Sequence, residues 1–150
     1  MDEQQGSKAN RKGKELEEEF ERKCSEELGI PCLEYRDWRK SDRQPNVLIK
    51  HKPYKPLFGR YGYMEFYLNK ADCRIECRSQ DVRGSVKEKY PYLVESYVNS
   101  PDHPSKMILI LKGDAIEDDV KNYINRRIPE VPIFNNVDDC VFFIKTVLEQ

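Results

Sequence analysis

Apolar residues recur along this chain with two different periods, and the change of period marks out its elements. Leu16, Phe20, Cys24 and Leu28 fall four apart, the stripe of an amphipathic helix, and Gly29 supplies a stop. The spacing predicts a helix capped by Ser7 or Asn10 and running to about Leu28, behind a flexible polar tail over residues 1–10. Further on, "YMEFYL" and "CRIECRSQ" alternate with period two on either side of Asn69-Lys70-Ala71-Asp72, a run with turn chemistry. The pattern predicts a β-hairpin. With Lys70-Ala71 at its tip, Leu68 pairs with Cys73 and Glu65 falls opposite Glu76. One face then carries Met64, Phe66, Leu68, Cys73, Ile75 and Cys77, and the other Tyr63, Glu65, Tyr67, Arg74, Glu76, Arg78 and Gln80.

Residues 30–60 form a proline-punctuated, strand-poor stretch with short strands expected at "CLEYR" and "NVLIK". After the hairpin, a turn at Arg83-Gly84-Ser85 leads into a helix with Pro91 near its start and Leu93, Val94 and Tyr97 on its packing face. "KMILILK" is apolar on both faces, as a strand covered on both sides requires. A helix striped by Ile116, Val120, Tyr123 and Ile124 follows. A short strand "VPIF" and a last helix, capped by Asn136 or Asp138 and containing Val141, Ile144, Val147 and Leu148, complete the chain. This order predicts an α/β fold, a mixed central β-sheet flanked by helices, as one domain over residues 11–150.

Composition narrows the function classes. Hydrophobic residues make up 38% and charged residues 35%, and no apolar run approaches a membrane span. The N-terminus lacks a signal-peptide core, so the expected location is cytoplasmic, with no membrane partner. The five cysteines (Cys24, Cys32, Cys73, Cys77 and Cys140) lack zinc-site spacing and are expected to be reduced structural residues. A net charge of -1 hides a strong segregation. Arg36, Arg39, Lys40, Arg43, Lys50, Lys52, Lys55 and Arg60 face only Asp37 and Asp42 in a segment that also holds Tyr35, Trp38, Tyr54 and Phe58. Bases interleaved with aromatics suit phosphate contacts and base stacking. The alternative is a solvated loop with its aromatics tucked into the core.

Glu65 and Glu76 raise a sharper question. Opposed carboxylates at roughly 5 Å between β-carbons repel, and a cation must neutralise both or one is driven toward protonation. A divalent metal with hard oxygen ligands is the economical resolution, and Mg²⁺ is commonly held by one or two carboxylates. The alternative is a solvated face on which Arg74 and Arg78 pair with the glutamates.

These segments, taken in order, resemble the PD-(D/E)XK nuclease superfamily, the restriction-endonuclease-like fold. "GKELEEEF" resembles its first-helix motif, with the acid at Glu17, and "GYMEFYL" places the first metal ligand at Glu65. "IECRSQ" supplies Glu76 as second ligand, Arg78 at the position of the usual lysine, and Gln80 as the following polar residue. "GSVKEKYPY" resembles a phage-type branch related in style to Holliday-junction resolvases, and the likeness extends over nearly the whole chain from Gly13. It implies a metal-dependent DNA endonuclease, acting on duplex or branched DNA in a bacterial or phage-infected cell. Mg²⁺, with Mn²⁺ able to substitute, would be held by Glu65, Glu76 and the backbone carbonyl of Cys77. Arg39, Lys40, Arg43, Lys50, Lys52, Lys55, Arg60, Arg83 and Lys89 would grip DNA, and resolvase style implies a homodimer. Glu65 stands where Asp is usual, and its longer side chain still reaches a metal. Arginine at position 78 offers charge and a fork but cannot act as a base. That substitution supports two competing readings, a DNA-binding protein on the same fold with weakened or lost catalysis and a non-enzymatic protein-interaction module.

Overall fold

The computed structural model describes residues 2–79, 89–113 and 117–148, with side chains described from residue 11 to residue 147 within those ranges. Helix α1 spans Asp2–Leu28, followed by strand β1 (Cys32–Glu34), helix α2 (Tyr35–Lys40) and strand β2 (Leu48–Tyr54). Strands β3 (Gly62–Leu68) and β4 (Cys73–Ser79) form the hairpin. Helix α3 (Lys89–Asn99), strand β5 (Lys106–Lys112), helix α4 (Asp118–Arg127), strand β6 (Ile133–Phe134) and helix α5 (Val137–Phe143) complete the order, α5 continuing into a π-helical turn. The turn at Arg83-Gly84-Ser85, Gln80 and Ile116 lie outside the described residues.

Six strands form one sheet in the order β1-β2-β3-β4-β5-β6. β2–β3 and β3–β4 are antiparallel, and β1–β2, β4–β5 and β5–β6 are parallel, so the sheet is mixed as expected. One face packs Phe66, Leu68, Cys73, Ile75 and Cys77 under Leu16, Phe20 and Cys24 of α1 and Val137, Cys140 and Val141 of α5. On the other face, Leu93, Val94 and Tyr97 of α3 and Val120 and Ile124 of α4 cover Met107, Leu109 and Leu111 of β5. β5 is thus buried from both sides, which is why "KMILILK" lacks a polar face. All five cysteines are free thiols. No helix among the described residues is long and apolar enough to cross a membrane.

Helix α1 ends where the sequence indicates. Gly29, at φ +67°, donates its N–H to the Ser25 carbonyl at 3.1 Å, a left-handed cap that suits glycine. Its start differs from the expected cap at Ser7 or Asn10, since the helix already runs from Asp2. The first turns carry no apolar periodicity, and no proline interrupts them, so pattern alone could not find their beginning. Asn136 does cap α5, accepting the Asp139 N–H at 2.8 Å.

The larger departure lies between residues 30 and 60. β2 runs on through His51-Lys52-Pro53 to Tyr54, and α2 occupies residues expected as strand or loop. β1 pairs only with Leu48–Lys50, which leaves the Pro53 end of β2 paired on one side alone, where proline is tolerated. His51 takes φ +58°, and the β2–β3 ladder skips it and its register partner, Glu65. This irregularity reverses the alternation. Lys50 points to α1, whereas Lys52 places Nζ 3.8 Å from the Tyr67 ring centre on the opposite face. Met64, expected beside Phe66, is instead buried with Ile49, Tyr54 and Tyr67.

Candidate active site

The hairpin register is the expected one: Leu68 pairs with Cys73, Tyr67 with Arg74 and Phe66 with Ile75. Regular pairing stops there, one step before Glu65 and Glu76. The two carboxylates then enter the gap between the strands and take over the backbone's hydrogen bonds. Glu76 Oε2 accepts the Glu65 N–H at 2.8 Å, and Glu65 Oε1 accepts the Cys77 N–H at 2.6 Å. One oxygen of each glutamate is therefore structural.

The remaining oxygens converge on a single cation, the Arg78 guanidinium. Its Nη1 donates to Glu65 Oε2 at 2.5 Å and to the Cys77 carbonyl at 2.9 Å, while Nη2 donates to Glu76 Oε1 at 3.2 Å. Two carboxylate oxygens and one carbonyl oxygen around one positive charge form a hard-oxygen donor set of the kind Mg²⁺ takes. These residues fit a divalent metal in donor chemistry. Among the described residues no three His, Cys, Asp or Glu side chains form such a set, so the third donor here comes from the main chain. Glu17, partly buried on α1, adds its charge to what Glu65 experiences.

Behind this layer lies a buried support that the sequence did not assign. Arg74 and Glu76 are 2% and 1% exposed, and Arg74 Nε donates to Glu76 Oε2 at 3.1 Å. Arg74 also stacks over the Tyr54 ring at 4.3 Å and donates to its hydroxyl at 3.3 Å. Arginine–glutamate pairing is therefore present, with the Arg74 pair in the interior and the Arg78 pair only partly exposed. A usable signal existed. β4 pairs along its length with β5, whose two apolar faces require cover on both sides, and that cover extends over Arg74.

Electrostatics follow from this packing. Burial, and then the charge of Glu76, raise the Glu65 carboxyl well above the ordinary range, against the pull of Arg78 and the Cys77 N–H. Burial opposes charge on Arg78, but Glu65 and Glu76 outweigh it and hold the guanidinium protonated. Burial likewise opposes the charge on Arg74, and Glu76 and Tyr54 outweigh it. The Arg78 guanidinium thus does not offset burial and the Glu76 charge at Glu65.

Topology brings a few of the expected basic residues to the same end of the sheet. β2 ends, β3 begins and β4 ends there, so the 55–61 connection lies beside the carboxylates. Lys55 and Arg60 in that connection, and Lys89 at the start of α3, are exposed. Phe58 and Tyr92 lie with ring centres 6.1 Å apart, and the Tyr92 hydroxyl donates to the Phe58 carbonyl at 3.2 Å. Two other bases are engaged within the fold. Lys50 donates to Glu21 at 3.1 Å, and half-buried Lys52 rests on Tyr67. Arg39 lies over Tyr35 and Arg43 over Trp38, at 5.7 and 5.9 Å, with Lys40 exposed beside them. Gln80 and Arg83 fall outside the described residues.

A mixed sheet between helical layers, with two acids meeting at the open end of its central hairpin, defines the restriction-endonuclease-like class of α/β protein. The chain belongs to the PD-(D/E)XK nuclease superfamily, whose domain model matches residues 8–139. Searches of curated proteins and of solved structures returned no match.

Proposed function

We propose that this protein is a metal-dependent deoxyribonuclease that hydrolyses phosphodiester bonds at the open end of the β3–β4 hairpin. The observation that supports this most is the convergence of Glu65 Oε2, Glu76 Oε1 and the Cys77 carbonyl on one cation position. Mg²⁺, or Mn²⁺ in its place, would be held by these three groups. When bound, it supplies the charge that polarises the scissile phosphate and lowers the pKa of a water.

The chain's own residues do the rest. Glu65 and Glu76 are held in place through their second oxygens, so they need no rearrangement to present the first. Arg78, permanently charged, stabilises negative charge developing on the phosphate and takes no proton. By family resemblance Gln80 would orient water or phosphate, and Glu17 would act through a further water or cation. Lys55, Arg60 and Lys89, with Arg39, Lys40, Arg43 and Arg83, would hold the flanking DNA backbone. Branched DNA cut by a homodimer is the finer form of the proposal, taken from the resolvase-like segment around Pro91 and Tyr92.

One observation favours a second reading. Arg78 already occupies the free oxygen of each glutamate, as a DNA-binding protein with lost catalysis would require. Substitution separates the two. Glu65→Ala is the cleaner variant, because Glu76→Ala would also strand buried Arg74. Under the nuclease reading, Glu65→Ala lowers cleavage by about 100-fold or more and leaves binding in EDTA, followed by fluorescence anisotropy, intact or tighter. A four-way junction, a linear duplex and single-stranded DNA would each be offered. Equal cleavage by wild type and Glu65→Ala would remove the hairpin from the reaction. Binding with no cleavage of any DNA would select the second reading.

A further inference from the structure

Arg78 occupies the position that the proposed metal needs, and the contacts around it are divided in an informative way. Each glutamate gives one oxygen to the scaffold and one to Arg78. Glu76 Oε2 is committed to the Glu65 N–H and Arg74 Nε, and Glu65 Oε1 to the Cys77 N–H. Removing the guanidinium would release one oxygen from each carboxylate together with the Cys77 carbonyl, and would disturb none of the structural bonds. The Arg78 side chain is 34% exposed, whereas those of Arg74 and Glu76 are 2% exposed, so the arginine that blocks the set is also the one free to leave. Tyr90 Oη lies close enough to Arg78 for their charges to interact, and it is buried with no hydrogen-bond partner among the described residues.

We propose that Arg78 is a resident cation that closes the Glu65–Glu76–Cys77 oxygen set, and that a nucleic-acid phosphate opens it by drawing the guanidinium away. This rests on the nuclease reading of the same site and adds its regulation. A guanidinium and a divalent ion cannot share three oxygens, so in free protein the metal must compete with Arg78. A phosphate diester offers the guanidinium a bidentate anionic partner in exchange. Phosphate and metal then bind cooperatively, because each removes the obstacle to the other, and the coupling is reciprocal. The free protein would remain in a metal-poor state and become competent only on its substrate.

The test is Mn²⁺ affinity, read by electron paramagnetic resonance for wild type and Arg78→Gln. Each is measured alone and with a short DNA duplex in excess, so that uncut substrate persists. Losing charge-assisted bonds to three oxygens predicts that Arg78→Gln alone binds Mn²⁺ at least about tenfold more tightly than wild type alone. DNA should tighten Mn²⁺ binding to wild type and change the variant far less. If Arg78→Gln does not fold, by circular dichroism, Arg78→Lys serves instead. Its compact ammonium lacks the fork and should shift affinity in the same direction by less. Equal Mn²⁺ affinity of wild type and folded variant, or a DNA effect of equal size in both, overturns the proposal. Should wild type still cut DNA in Mg²⁺, the nuclease reading survives that result. Absence of Mn²⁺ binding in every combination, together with absence of cutting, overturns both.

Discussion

At its closed end the β3–β4 hairpin is held by main-chain pairing, with Leu68 facing Cys73 and Phe66 facing Ile75. Its turn is fastened by Asp72, at φ +50°, which accepts the Tyr67 hydroxyl at 2.6 Å and the Ser105 N–H at 3.0 Å. At its open end, one strand position farther on, side chains have replaced the main chain: carboxylates accept the backbone N–H groups, and two arginines balance the carboxylates. The closed end uses polar groups to finish a fold. The open end uses the fold, including a buried ion pair, to hold polar groups where their free oxygens converge. That difference separates the stabilising residues from those we propose to be reactive on the same two strands.

The comparison breaks most visibly at Arg74. If the buried pair supports the open end, Arg74→Met strips the buried Glu76 Oε2 of its cation and leaves it only the Glu65 N–H. A loss of about 3–5 kcal/mol is then expected in urea unfolding. Replacing both partners, as Arg74→Met with Glu76→Leu, should recover much of that stability while abolishing cleavage. An unchanged midpoint for Arg74→Met would mean that Glu76 is held without the arginine.

Gly62 sharpens the same point with a smaller effect. A β-carbon there would meet Tyr54 Cε1 at 2.8 Å, and Tyr54 is pinned beneath the Arg74 guanidinium. Gly62→Ala should therefore cost about 1–3 kcal/mol by forcing the ring aside, with a secondary loss of cleavage. Wild-type stability would show that Tyr54 yields freely and does not brace Arg74.

The smallest effect belongs to the closed end. Burial alone would raise the Asp72 carboxyl, but the Tyr67 hydroxyl and the Ser105 contacts outweigh it and lower its pKa. A depressed folded-state value means that the unfolded chain binds more protons. Asp72 therefore adds stability above the ordinary aspartate range, near about pH 3.9, and loses it as pH falls through the lower folded value. Asp72→Asn, which tolerates the left-handed backbone, should flatten that part of the acid-unfolding curve and leave DNA cleavage unaffected. An unchanged acid-unfolding curve would remove Asp72 from the turn's support.

The same contrast explains what could be read from the sequence. Two signals agreed on the hairpin, since the turn chemistry of Asn69 to Asp72 and the period-two alternation both set Leu68 against Cys73. The opposition of Glu65 and Glu76 followed from that register. Met64 falls on the face opposite to the expected one because the reversal comes from a left-handed His51, which no apolar pattern announces. The sequence offers Arg74 only as a partner in the solvated-face alternative, because arginine in an alternating strand ordinarily marks the wet face. Only the cover that a neighbouring strand needs reveals that it is buried. The basic segment was legible as charge, but Lys50 and Lys52 turn inward to Glu21 and Tyr67, which depends on contacts far apart in sequence.

The most direct measurement of the central claim is cleavage of end-labelled DNA by purified wild-type protein at low salt, with Mg²⁺ and with EDTA. The account predicts strand scission that requires Mg²⁺ and is restored by Mn²⁺. Scission of equal rate in EDTA, or intact DNA under every metal condition despite salt-sensitive binding, would contradict it.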